Sequence, residues 1–304
     1  MLLDLPTLDT TIADTPRVCL AAAGTGPGWR RAAIDVSFDN GASWQSAGRS
    51  AAPAVIGRIG GAMTAAAAAL FGRSTSIDVV LLNEGMALSG AGEAELVDGA
   101  NLALIGDELI QFGTARQIGP TRWRIGDLLR GRRGTEWAIA GHAPGERFVL
   151  LDPATLLPLD VPLSQIGAML LASGQGPGDA GTPANDAIAV TGQALRPPCP
   201  VGLRASRRGD GAIEIGWTRR SRGGWAWLDG VDAPLGEDRE LYALRLQGAG
   251  GAERRIEVGA PNYVYSAADQ AADRWGGMGL LTASIAQIGT HAASLPAAQA
   301  AWHI

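Results

Sequence analysis

Two stretches of the chain concentrate side chains that could do chemistry. Residues 130–136 read Arg-Gly-Arg-Arg-Gly-Thr-Glu, placing Arg130, Arg132, Arg133 and Glu136 within one short loop. Guanidinium forks match carboxylates and phosphates, so such a loop could grip a phosphate, a lipopolysaccharide headgroup or an acidic patch on a partner. The competing reading is conformational: Arg130 or Arg133 bonds loop carbonyls and pairs with Glu136, holding the connection in one shape. Residues 219–227 read Arg-Arg-Ser-Arg-Gly-Gly-Trp-Ala-Trp and interleave Arg219, Arg220 and Arg222 with Trp225 and Trp227. Aromatic and cationic groups together suit a stacked glycan or a protein interface. Equally, the two tryptophans could fold back over the end of a domain with the arginines stacked on them. An acidic run at 236–240 follows directly and reads as a solvated approach to a strand, able to pair with those arginines.

Nothing else in the sequence assembles a reaction centre. His142, His291 and His303 have no ligand spacing, and no Ser/His/Asp set or G-x-S-x-G elbow occurs. Asp107 and Glu108 are adjacent on a strand, so they point to opposite faces and cannot flank one bond. They read as the solvent end of a hairpin strand. Cys19 and Cys199 lie far apart with no metal or redox spacing, and each reads as a buried free thiol. No catalytic residue, metal or cofactor is expected. The net charge of −5 argues against a general nucleic-acid binder. Lysine is absent, so the side-chain cations are arginines, with histidine as the remaining candidate. The amino-terminal residues lack the basic and apolar regions of a secretory signal, and the apolar run 62–71 is too short for a bilayer. A soluble protein made in the cytoplasm is expected.

The elements that must position these residues are strands. With 304 residues, 46% hydrophobic and 18% charged, plus 43 glycines and 17 prolines, the chain fits a folded all-β protein of two domains. Strands are expected at 17–23, 32–38, 43–47 and 77–82. The pair 32–47 turns at Asp39-Asn40-Gly41, where Asn-Gly supplies positive φ angles. The same letters, Ser37 to Trp44, match an Asp-box, with Asp39 bonding the turn and Trp44 packed beneath it. One copy is a hairpin device, since a propeller would repeat it. Residues 51–72 lose period, and the helix-prone part 64–70 fits a short helix or an ordered loop. Residues 101–129 alternate around a turn at 119–121 and read as the central hairpin, followed by the charged loop and a strand at 147–151. Further strands are expected at 168–172 and 187–195, flanking an exposed loop at 173–186. Pro197, Pro198 and Pro200 form a stiff connector, giving domains at 1–195 and 196–304. Beyond it, seven short strands in about a hundred residues fit an immunoglobulin-like sandwich. A short helix is expected after Tyr265, capped by Ser266 with Asp269 at its third position.

The wording of the central stretch, ALIGDELIQFGTA with LLRGRRGTE and GERFVLLD, resembles the tail-tip hub proteins of tailed bacteriophages. It is most similar to the C-terminal region of the large host-recognition protein of alphaproteobacterial gene transfer agents and related siphophages. The likeness continues through IGWTRRSRGGWAW, VDAPLGEDRELYALRL and LTASIAQIG. The proline entry, Trp217 and Tyr242 look like a fibronectin type III domain. The fold implied is an N-terminal β-barrel or sandwich-like hub region followed by that sandwich. The family protein also carries a TIM-barrel region, whose alternating βα pattern is not found here.

The resemblance implies a non-enzymatic virion component of the tail tip, a separately encoded or excised C-terminal portion of a longer protein. Its implied partners are other tail and baseplate proteins, a host glycan or outer-membrane receptor, and two further copies in a homotrimer, with no nucleic acid. A carbohydrate-binding cell-surface module, using Trp225 and Trp227, is the alternative. A degraded hydrolase ranks below both.

Overall fold

A computed structural model describes the chain apart from residues 27, 69, 180, 226–232, 250, 252, 276–278 and 296–297. It forms two compact units, one of Met1–Leu8 with Ala13–Ala194 and one of Asp9–Ile12 with Leu195–Ile304. Both are built of strands, and the protein is all-β.

The first unit holds β1 (Leu2–Asp4), β2 (Arg17–Ala21), β3 (Ala33–Ser37), β4 (Gln45–Arg49), β5 (Ile56–Ile59), β6 (Phe71–Leu81), β7 (Leu102–Ile105), β8 (Glu108–Gln117), β9 (Arg122–Leu129), β10 (Arg147–Leu150), β11 (Leu156–Asp160), β12 (Met169–Gln175) and β13 (Ala184–Ala189). Six of them close into an antiparallel barrel in the order β10-β5-β6-β9-β8-β7. Ile59, Ile77, Val79, Leu81, Ile105, Ile110, Phe112, Ile125 and Phe148 fill its interior. On one side of the wall Ile56, Leu102, Leu104, Leu109 and Val149 turn outward. There they are covered by Leu3, Ala21 and Leu156 of the β1-β2-β11 sheet and by Leu5 just beyond β1. A four-stranded sheet, β13-β12-β3-β4, completes the unit.

Several expectations change here. The stretch 101–117 is two strands, because Gly106 (φ +57°) and Asp107 make a two-residue turn between β7 and β8. A Cβ at Gly106 would lie 2.6 Å from Glu146 Oε2, so both the turn and the crowding require glycine. Of the two alternatives for 64–70, the described residues take the loop, whereas the unforeseen α1 (Glu93–Val97) covers part of β8. Unforeseen too are β5 and β11, and β12 and β13 extend well into the expected loop at 173–186. At the β3–β4 turn, Asn40 (φ 58°) and Gly41 (φ 88°) take the positive angles expected of Asn-Gly. Asp39 accepts from Ser37 Oγ (2.8 Å), Ser43 N (2.8 Å) and Ser43 Oγ (2.5 Å). These bonds, led by the Ser43 hydroxyl, hold its carboxyl down to about 2. Trp44 lies against Gly41 of the turn, with a ring carbon 3.8 Å from where a Cβ there would sit, while remaining 46% exposed. Cys19 is only half-buried, while Cys199 is buried, and both are free thiols.

The second unit holds β14 (Val201–Arg207), β15 (Ile213–Thr218), β16 (Tyr242–Gly248), β17 (Glu253–Val258), β18 (Asn262–Tyr265), α2 (Ala267–Ala272), β19 (Leu280–Gln287) and β20 (Ala298–His303). A three-stranded sheet, β14-β15-β18, faces a four-stranded one, β17-β16-β19-β20, in the strand distribution of a fibronectin type III-like sandwich. Strand β16 alternates without error, burying Tyr242, Leu244 and Leu246. Trp217 meets Tyr242 edge-on at 5.1 Å, and Tyr265 stacks on Trp275 at 6.1 Å. Ser266 caps α2 by accepting from Asp269 N.

Candidate functional site

Four charged groups of the first unit, Glu108, Arg130, His142 and Glu146, meet at one mouth of the barrel. Glu108 opens β8, in phase with Ile110 and Phe112, whose side chains fill the interior. Its side chain is 0% exposed, so it does not mark the solvent end of a strand. Arg130, just past the end of β9, reaches it through Nε (2.8 Å) and Nη2 (2.7 Å), with Gly131 N donating at 2.7 Å. The remaining reach of Arg130 goes to the carbonyls of Ile139 (2.8 Å) and Thr64 (3.2 Å). His142 then brings Nε2 to 2.7 Å from Glu108 Oε2 and Nδ1 to 2.6 Å from Glu146 Oε2. Glu146 is fixed in turn by Ala143 N at 2.8 Å.

An imidazole held between two carboxylates is best matched by its protonated form, in which both nitrogens donate. The pKa of His142 is accordingly raised, chiefly by the Glu108 hydrogen bond, with burial opposing and Glu146 adding. For Glu146, burial would raise the pKa, but the His142 and Ala143 hydrogen bonds and the His142 charge bring it below the ordinary value. Two cations and two carboxylates therefore balance. A buried charge is tolerated only when paired and hydrogen-bonded, and this cluster meets that condition from within.

The loop residues expected to face a partner are largely turned inward. Arg130 is 1% exposed, and its ion pair is with Glu108, not Glu136. Arg132 Nε donates to Gln111 Oε1 at 2.6 Å, and Arg133 Nη1 to Thr7 O at 3.2 Å. Glu136 begins a half-buried 3-10 turn. A β-strand end offers a long arginine an internal carboxylate, and the attraction that is stronger there than in water offsets the cost of taking both charges out of solvent.

In the second unit, Arg222 is buried and donates to Glu237 Oε1 at 2.7 Å. Arg219 donates to Ala233 O (2.8 Å) and lies 3.8 Å from Glu240, so the acidic run does pair with these arginines. Arg220 reaches Cys199 O at 3.4 Å. Trp225 is half-buried, and Trp227 lies outside the described residues.

The sequence reading missed Glu108, His142 and Glu146 as one cluster. The His142–Glu146 spacing of four is a faint local signal, but Glu108 joins only through barrel closure. Among the described residues, no group of three or more His, Cys, Asp or Glu side chains could hold a metal ion.

A family model described as "Rcc01698-like, C-terminal" matches residues 54–149, the stretch that contains the barrel strands and the charged mouth. No curated protein matches the chain. Among solved structures, the rat CD45 extracellular region, domains d3-d4, is similar at 11% identity and a TM-score of 0.27. That match covers 40% of this chain and 56% of the CD45 chain. Titin domains A168-A170 are similar at 12% identity, covering 83% of this chain and 67% of that one, with a TM-score of 0.26. A cytokine receptor complex is similar at 12% identity, covering 75% and 90%, with a TM-score of 0.27.

Proposed function

We propose that the chain is a structural component of a phage or phage-like tail tip, a piece of the baseplate hub or fibre that works by assembly and host-envelope attachment. The observation that carries this reading is where the hub-like wording falls. ALIGDELIQFGTA spans β7 and β8, LLRGRRGTE ends β9 and enters the loop, and GERFVLLD is β10 with its flanks. Glu108, Arg130, Gly131 and Glu146, which hold the barrel mouth, all lie within those words. The same residues thus carry both the resemblance and the architecture. Chemistry inside the cluster is directed at itself: Glu108 accepts from Arg130, Gly131 and His142, which suits a brace better than a reaction centre. The partners in this reading are other tail and baseplate proteins and a host-surface glycan or receptor, with threefold association in the particle.

Affinity-tagging the chain in its producing cells and purifying tail particles tests the proposal. The expected result is co-migration of the tag with the particles and its location at the tail tip. Absence from particles, together with micromolar binding on a glycan array, would instead make the chain a carbohydrate-binding module.

A further inference from the structure

The barrel wall left open by the β1-β2-β11 sheet carries a band of cations. Antiparallel register sets Arg58 of β5 opposite Val80 of β6, and Val80 opposite Arg122 of β9. Two residues along, Asp78 lies opposite Arg124, and Arg124 opposite Arg116 of β8. Directly opposed residues project to the same side of a sheet, so these two rungs share one outer face. Arg58, Arg116, Arg122 and Arg124 are exposed there. Four guanidiniums therefore stand against the single carboxylate of Asp78. Arg124 takes that carboxylate in both hands, Nε at 2.6 Å and Nη2 at 3.1 Å. Arg58 donates to Gly145 O at 2.8 Å, which leaves its charge uncompensated. Among the described residues, neither Arg116 nor Arg122 has an ion pair. The Asp78 carboxyl sits below the usual range, first through the Arg124 hydrogen bond, with the charges of Arg122 and Arg116 adding to that of Arg124. Opposed like charges, as at Arg116 and Arg124, destabilise a ladder unless an anion joins them.

We propose that this outer face of β5, β6, β9 and β8 is a docking surface for an acidic surface of a partner protein. Charge complementarity supplies the anion, and the rest of the face selects its kind. Val80, 36% exposed, sits between Arg58 and Arg122, and Leu82, 42% exposed, follows at the strand end. Arginines around exposed aliphatic side chains are the composition of a protein interface. A glycan or single-stranded nucleic acid would call for exposed aromatic rings, and Trp123 packs instead against the interior cluster. The net charge of −5 opposes a long polyanion, whose repulsion is felt over the whole chain rather than at one face. This inference takes its setting from the assembly role proposed above, but the two fail separately, since one is read on particles and the other on the isolated chain.

The test uses fluorescence anisotropy of the full chain with a fluorescein-labelled peptide of alternating glutamate and leucine, and with a 20-nucleotide single-stranded DNA as comparison. R116E/R122E should weaken peptide binding at least tenfold while leaving the circular dichroism spectrum unchanged and the melting temperature no lower. The control R204E/R208E, on the second unit, should stay within twofold. Equal losses in both double variants, or no peptide binding at low salt, overturn the proposal. So does DNA binding tighter than peptide binding and abolished by R116E/R122E. A salt-sensitive dimer of the chain that R116E/R122E dissociates would make the occupant a second copy and overturn the heterologous partner.

Discussion

At the mouth of the barrel, the side chains that tie strands together are the buried Arg130, Glu108 and His142, with the half-buried Glu146. In the sandwich, that position is held by Trp217 against Tyr242 and Tyr265 against Trp275. The two regions fail differently when a side chain is removed. An aromatic ring contributes in proportion to what it buries, and its loss leaves a hole that neighbours partly fill. A charge in a balanced cluster contributes little net energy, yet its loss strands a partner in a medium that cannot solvate it. The barrel mouth is therefore the more brittle of the two, although the sandwich core contributes more.

Breaking each region singly shows this. Arg130→Ala should cost about 3–5 kcal/mol in chemical denaturation of the first unit, because Glu108 stays buried without its main partner. Pairing it with Glu108→Leu should recover much of that loss, so the double variant is more stable than additivity allows. If the two losses simply add, the cluster is not coupled as described. Trp217→Ala should cost about 3–5 kcal/mol in the second unit, and no substitution of Tyr242 should restore it. A loss under 1 kcal/mol would place Trp217 outside the core.

The comparison sharpens with pH, to which the aromatic core is indifferent between pH 4 and 9. The pKa of His142 is raised by folding, so its contribution is fully present below the ordinary 6.5 and is lost as pH rises through the raised value. Glu146 moves the other way, contributing above its ordinary 4.5 and losing that contribution as pH falls through the lowered value. The first unit should thus be most stable between these limits. His142→Asn should lower its stability by about 1–3 kcal/mol and flatten the alkaline limb of urea midpoints against pH. An unchanged alkaline limb would assign that limb to other groups. The smallest effect expected is at α2: Ser266→Ala removes the cap and should cost about 1 kcal/mol, seen as a melting shift of a few degrees in the second unit.

What could be read from the sequence depended on how local the cause was. The seven sandwich strands and the α2 cap follow from alternation, prolines and a Ser-x-x-Asp spacing, all within a few residues of their effect. The Asn40-Gly41 turn is equally local. The barrel was less legible. Its β7–β8 turn hides in Gly106-Asp107, which interrupts an apolar run by only two residues. Within β9 the alternation changes phase at Asp127, which takes φ 52°, so that both Ile125 and Leu128 face the interior. Glu108 reads as a solvated carboxylate because its partners come from 22 and 34 residues away. The arginine loops drew attention for the right residue type, but a guanidinium's reach makes type alone silent on direction. Arg130 turned to an interior carboxylate, whereas Arg116 and Arg122, single letters in alternating strands, stayed outside.

Barrel closure has a further consequence for any assembly. A sheet with a free edge can recruit a strand from a neighbour and grow without limit, but β10 pairing with both β5 and β7 leaves the ring with no such edge. Whatever joins this ring must meet its wall through side chains, so the stoichiometry of contact is set by shape and charge and is finite. Strand β4 is different: it ends the four-stranded sheet with mostly exposed side chains and pairs only with β3. Strand β13, at the other edge of that sheet, pairs only with β12 and is also largely exposed, so open-ended growth by strand addition has its place at these edges and not on the ring.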